Sequence, residues 1–234
     1  MKKALAALGL VALAATAQAQ LLTDTFTYPD GPLVGAPGSP WVTTSGTAGQ
    51  LNVVSGELFL SDDDGEDAAA PFSMAITDGV LSASFTFRAD SDEASSAAGD
   101  YIAHFLNTGG STQIARFFLI NAANADEFSI GVSTTAATPN ATFAGTFAVG
   151  QILNVTLSYD FTSDLASLSI GGFGTIIATD AVNFASIDRF QWREGAGSQG
   201  DAFVDNLSVV PEPATWMLMG LGLLLGAQRL RRKA

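Results

Sequence analysis

Val80-Leu81-Ser82-Ala83-Ser84-Phe85-Thr86-Phe87-Arg88-Ala89 alternates along its length, with Val80, Ser82, Ser84 and Thr86 on one parity and Leu81, Ala83, Phe85 and Phe87 on the other. A side-chain period of two belongs to an extended strand with one buried face; a helix would repeat its apolar positions every three or four residues. The pattern recurs on both sides. Before it, Asp24 to Tyr28 alternates, Trp41 opens a second short run, and Leu51 to Val54 and Glu57 to Leu60 flank Ser55-Gly56, a two-residue link of the kind that closes a hairpin. After it come Tyr101 to Leu106, Gln113 to Asn121, Glu127 to Val132, Ala141 to Val149, Ile152 to Tyr159, Leu165 to Ile170, Ile187 to Arg193 and Ala202 to Val209. About eleven short strands without helical periodicity predict an all-β fold, an antiparallel two-sheet β-sandwich of the jelly-roll kind. The absence of a fixed repeat argues against a propeller or solenoid.

The ends do not share this pattern. Lys2 and Lys3, the apolar run Ala4 to Ala15 and Ala17-Gln18-Ala19 read as a signal peptide over residues 1–19, so the sandwich occupies residues 20–210. Residues 211–234 open with Pro211-Glu212-Pro213, continue as an apolar run from Ala214 to Ala227 and finish on Arg229, Arg231, Arg232 and Lys233. Such basic residues stay on the cytoplasmic side of a membrane. Fourteen helical residues reach roughly 21 Å against a hydrocarbon core of about 30 Å, which describes a short transmembrane helix and a weak permanent anchor.

The tripeptide, the Gly/Leu-rich span and the Arg cluster, in that order at the C-terminus, resemble the PEP-CTERM sorting signal of exopolysaccharide-producing Gram-negative bacteria. The resemblance implies recognition by an exosortase, a membrane-embedded processing enzyme. With the leader, it implies export across the inner membrane through the Sec translocon, transient anchoring by the C-terminal helix, and a final place at the cell surface or outside it.

Of 23 acidic residues all but Glu212 lie in residues 20–210, against only Arg88, Arg116, Arg189 and Arg193, a formal charge of −18 for that part. A field of that sign repels nucleic acid and acidic membrane faces, and leaves divalent cations and neutral glycans as partners. The chain has no cysteine, so no disulfide or thiolate metal site supports it. Residues 20–210 contain no lysine, which removes Schiff-base chemistry. His104 is the only histidine, with no second one for a zinc site, and no Gly-x-Ser-x-Gly elbow occurs; His104 therefore reads as structural.

Phe85-Thr86-Phe87-Arg88, Phe128 to Val132, Phe147 to Asp160, Leu165 to Ile170, Ile187 to Phe190 and Phe203 to Val209 together resemble the laminin-G-like, concanavalin-type jelly rolls found in many PEP-CTERM proteins. Asp24 in the first strand and Asp205 in the last resemble positions that hold a structural calcium in several sugar-binding jelly rolls. A second calcium candidate is Asp62-Asp63-Asp64-Gly65-Glu66-Asp67, led by Asp62 and Asp64, where hard oxygens crowd a turn-forming glycine although no EF-hand is complete; the competing reading is an exposed, solvated acidic loop. Tyr28, Trp41, Tyr101 and Trp192 are the candidate glycan contacts, since exposed aromatic faces stack on pyranose rings; the other reading places such residues in the core. The expected function is that of an exported, non-catalytic cell-surface or matrix protein in the company of exopolysaccharide. The alternatives are a carbohydrate-binding module and a glycan-active hydrolase or lyase of the same fold.

Overall fold

The computed structural model describes residues 20–91, 99–107, 109–110, 112–124, 126–195, 197 and 199–212. Its strands are β1 (Leu22–Asp24), β2 (Gly31–Pro32), β3 (Val42–Ser45), β4 (Asn52–Val54), β5 (Glu57–Leu60), β6 (Asp67–Ile76), β7 (Val80–Ala89), β8 (Asp100–Asn107) and β9 (Gln113–Asn121), followed by β10 (Glu127–Ser133), β11 (Ala141–Thr142), β12 (Phe147–Ala148), β13 (Leu153–Asp160), β14 (Leu165–Ile170), β15 (Gly174–Ile177), β16 (Ile187–Arg193) and β17 (Ala202–Glu212). They form two sheets in which the paired strands are antiparallel. The first runs β15-β14-β13-β7-β17-β5-β4-β2, with β1 also on β17; the second runs β11-β10-β9-β8-β16-β6-β3, with β12 also on β10.

β7 shows why the fold takes this form. Leu81, Ala83, Phe85 and Phe87 are buried on one face, while Ser82 and Ser84 on the other bond Ser158 and Thr156 of β13 at 2.8 and 2.9 Å. Phe85 enters the second sheet's apolar face, 5.8 Å from Phe117, 6.4 Å from Phe190 and 5.1 Å from Trp192 between ring centres. Phe87 meets Phe117 and Phe128 edge to face at 5.2 and 5.9 Å. These T-shaped contacts set positive ring edges against negative faces, and the large apolar area they remove from water is what a chain without disulfides relies on.

Several elements depart from the expectation. The hairpin at Ser55-Gly56 is present, with φ of 56° and 83° at its two central residues, the mirror-image turn that suits twisted strands. The first strand is Leu22–Asp24 instead of Asp24 to Tyr28: Phe26 has φ of 45° and its N–H bonds the Asp24 carboxylate at 2.8 Å, which ends the ladder. The expected run Ala141 to Val149 is broken into β11 and β12, with Gly145 at φ of 106° between them. The last strand reaches three residues beyond Val209, to Glu212. The expected signal peptide (residues 1–19), Pro213, the C-terminal apolar run, Arg229, Arg231 and Arg232 lie outside the described residues. Among the described residues no helix is long and apolar enough to cross a membrane.

Phe85→Ala, at the crossing point of the two sheets, should lower unfolding free energy by about 3–5 kcal/mol in a denaturant titration. Phe173→Ala, whose ring is 55% exposed, should change it by about 0.5 kcal/mol or less.

Candidate functional site

The outward face of the second sheet carries the densest group of polar and aromatic side chains. In β16, Phe190 and Trp192 point into the core, so Gln191 and Arg193 point away from it; in β8, Phe105 is in the core and His104, opposite Gln191, points away. Tyr101 stands three residues before His104, and an ideal strand would send the two to opposite faces. A register shift between Tyr101 and Ala103, where two steps of β8 oppose one of β9, reverses the parity and brings both to the same face. The partner strand β9 is also irregular, with Ala115 at φ of 55° and its N–H bonded to the Thr134 carbonyl at 2.8 Å.

Tyr101 is half-buried at the centre of this group. Its ring lies 5.5 Å from His104 and 5.7 Å from Phe118, and the guanidinium carbons of Arg116 and Arg193 stand over it at 4.7 and 4.3 Å. Its hydroxyl donates to Gln113 Oε1 at 2.8 Å. Arg193 Nη1 donates to Asp100 at 2.8 Å and to the Tyr101 carbonyl at 3.1 Å. Gln191 Oε1 accepts from Thr44 at 3.0 Å. Burial, then the charges of Arg116 and Arg193, push the His104 pKa well below its usual value, so the ring is neutral; neither ring nitrogen has a partner among the described residues. The adjoining segment is pinned by Asp180, which accepts N–H bonds from Thr134, Thr135 and Ala136 at 2.7, 2.8 and 2.8 Å. Burial alone would raise the Asp180 pKa, but the bonds from Asn140 and these three amides outweigh it and bring it to about 2.

Of the four aromatic candidates, only Tyr101 belongs to this face. Trp41 and Trp192 are 2% and 0% exposed and lie 6.5 Å apart in the core, so neither is a surface platform. Tyr28 is partly buried and donates its hydroxyl to Asp24 at 2.9 Å. That carboxylate also accepts from Trp41 Nε1 at 2.6 Å and from the Phe26 amide. With three protein donors on it, Asp24 is an anchor for the core tryptophan and does not fit a calcium ligand. Asp205 accepts from the amide and side chain of its neighbour Asn206 at 2.6 and 2.7 Å.

The acidic loop is more structured than a solvated loop would be. Glu66 is fully buried, and its Oε2 accepts from the amides of Gly49, Gln50 and Leu51 at 2.9, 2.8 and 2.9 Å, while Thr43 donates to Oε1. Asp64 accepts from Gln50 at 2.7 Å, and the Asp62 amide donates to Asp201 at 2.9 Å. Glu194, 3% exposed, accepts from the amides of Ser61 and Glu66 at 3.1 and 3.2 Å. Among the described residues no three His, Asp or Glu side chains stand where they could hold a metal ion. Sequence reasoning missed Glu66, Glu194, Asp180, Gln191, Arg116 and Arg193. The scarcity of arginine was the one available signal, because two of the four converge here.

At the other end of the sandwich, β17 continues through Val210, paired with Ser82, to Pro211 and Glu212, paired with Leu81 and Val80, and Ser82 donates to Glu212 at 3.0 Å. Gln20 bonds Ser208 at 3.1 Å and the Leu21 amide bonds the Val209 carbonyl at 2.9 Å. The start of the sandwich and the first two residues of the tripeptide therefore lie side by side.

The PEP-CTERM protein-sorting motif matches residues 209–233. No curated protein sequence matches the chain. Among solved structures, a sialidase is similar at TM-score 0.53 and 14% identity over 81% of this chain and 19% of its own. The lectin UEA-II complexed with galactose is similar at TM-score 0.50 and 14% identity over 80% and 96%. The binding domain of botulinum neurotoxin serotype D gives TM-score 0.51 and 11% identity over 82% and 48%. These likenesses establish the lectin-like jelly-roll fold.

Burial, reinforced by Asp64 and Glu66 and only partly offset by its two amide donors, raises Glu194 from its ordinary 4.5 to about 7. The folded state thus holds a proton that the unfolded chain releases between those values, so this group's contribution is full below pH 4.5 and is lost as pH rises toward 7. Glu194→Gln, which stays neutral, should gain on the wild type by on the order of 2 kcal/mol between pH 5 and pH 7. Thermal melts of both proteins at the two values test this; a constant difference would refute it.

Proposed function

We propose that the chain is an exported, non-catalytic surface protein that binds glycan on the outward face of the second sheet. The observation that carries this reading is Tyr101: a partly exposed aromatic side chain flanked by the guanidinium groups of Arg116 and Arg193, which combines apolar area for a sugar ring with donors for its hydroxyls. The sandwich shape, shared with a lectin solved with galactose, agrees with it. The sorting motif supplies the address, with the Sec translocon and an exosortase as transient partners and exopolysaccharide as the glycan met at the surface.

Tyr101→Ala should weaken retention of the exported protein in exopolysaccharide affinity gels about tenfold or more without moving its melting temperature by more than a few degrees. Wild-type retention by the variant would remove the basis for this binding face. Replacing Pro211-Glu212-Pro213 with alanines should leave unprocessed protein in the membrane fraction. Because Pro211 and Glu212 are held in β17, a six-residue Gly/Ser insertion after Val210 should speed processing in a pulse-chase experiment. Unchanged kinetics would show that the sheet does not restrict access to the tripeptide.

A further inference from the structure

We infer that the glycan recognised at this face carries a carboxylate, a uronate in an otherwise neutral saccharide, and that Arg116 receives it. The inference rests on the glycan-binding reading above and names the chemical class of its ligand.

Arg116 is set apart from the other arginines of the sandwich. Arg88 pairs with Glu57 and Asp90 at 3.2 and 2.6 Å, Arg189 with Asp188 at 3.0 Å, and Arg193 with Asp100 at 2.8 Å. Arg116 has no such ion pair among the described residues, in a domain that offers 22 carboxylates against four arginines. Its Nε is buried without a partner, and its Nη1 makes a 3.3 Å bond to the Ala136 carbonyl. A half-buried guanidinium gives up hydration that a carboxylate from outside restores, and its planar fork matches that group.

The surroundings fit a sugar acid better than a free anion. Tyr101 lies 4.7 Å from the guanidinium and is partly exposed, so a pyranose can contact its side chain while the carboxylate reaches Arg116. The neutral His104 beneath adds no positive charge, and Arg193 is already neutralised by Asp100. Arg116 lies in the field of Asp180 and Asp100 yet pairs directly with neither among the described residues, so a ligand carboxylate would be its first ion-pair partner. With −18 spread over the domain, a densely charged polyanion is repelled, whereas one carboxylate among neutral sugars is admitted within the Debye length of about 8 Å at physiological salt.

The test is binding of the exported protein to an oligosaccharide with one glucuronate among neutral sugars, to its carboxyl-reduced form and to a counterpart bearing sulfate in place of carboxylate. Calorimetry in about 0.15 M salt provides the readout. The expected result is at least about tenfold tighter binding of the glucuronate form than of the other two. Arg116→Gln should erase that preference, weakening the glucuronate form at least about tenfold more than the carboxyl-reduced form, and Arg189→Gln should leave the preference unchanged. Should Arg116→Gln fail to fold, Arg116→Lys, which keeps the charge and loses the fork, should reduce the preference severalfold. Equal binding of the acidic and reduced forms would overturn the inference and leave the glycan reading standing. Tighter binding of the sulfated form would overturn the assignment to carboxylate. No binding of any of the three, while exopolysaccharide still binds through Tyr101, would also overturn it; loss of both would overturn the glycan reading itself.

Discussion

The interleaving of Phe85 and Phe87 with Phe117, Phe128, Phe190 and Trp192 is the contact on which the two sheets depend. With no cysteine available, sheet-on-sheet burial must hold the sandwich closed. Once those rings fix the inward parity of β7, β9 and β16, the outward parity follows, and Arg116, Gln191 and Arg193 are committed to the opposite face. The proposed binding surface is in this sense a by-product of the core pattern. Asp24 extends the same logic to the N-terminal strand by holding Trp41 Nε1 at 2.6 Å inside an otherwise apolar layer, where an unpaired indole N–H would be penalised.

Where the strands are regular, the sequence was enough to read them. The alternation of Val80 to Ala89, the Ser55-Gly56 hairpin and the antiparallel two-sheet class all follow from side-chain period and turn chemistry. What the period could not show is where it is interrupted. Tyr101 and His104 share a face only because β8 carries an extra residue between Tyr101 and Ala103, and a count of residues gives the opposite answer. Trp41 and Trp192 illustrate a second limit, since an aromatic at a strand position reads alike whether its parity faces water or the other sheet. Glu66 illustrates a third. Its neighbours Asp62, Asp63 and Asp64 make it look like one more solvated acid, yet three amides from a loop fifteen to seventeen residues earlier in the chain converge on one of its oxygens.

The two poles of the sandwich differ in a way that follows from the register of β7 and β17. Val80 pairs with Glu212 at one end and Ala89 with Ala202 at the other, so the sorting motif leaves from one pole while Asp90, Asp201 and Asp62 gather at the opposite one. Gln20 lies beside Ser208 near the first pole, which places the start of the sandwich and its exit together. A chain held in a membrane by its C-terminal segment would then carry these acidic loops on its far side. For a domain with a formal charge of −18, that arrangement keeps this group of carboxylates several Debye lengths from an anionic lipid surface, where repulsion is screened to little. The same register makes Pro211 and Glu212 part of a central strand. Access to the sorting tripeptide and the integrity of the β7–β17 ladder are consequently one physical question, because the backbone at Pro211 and Glu212 cannot lie in the sheet and in a processing site at once.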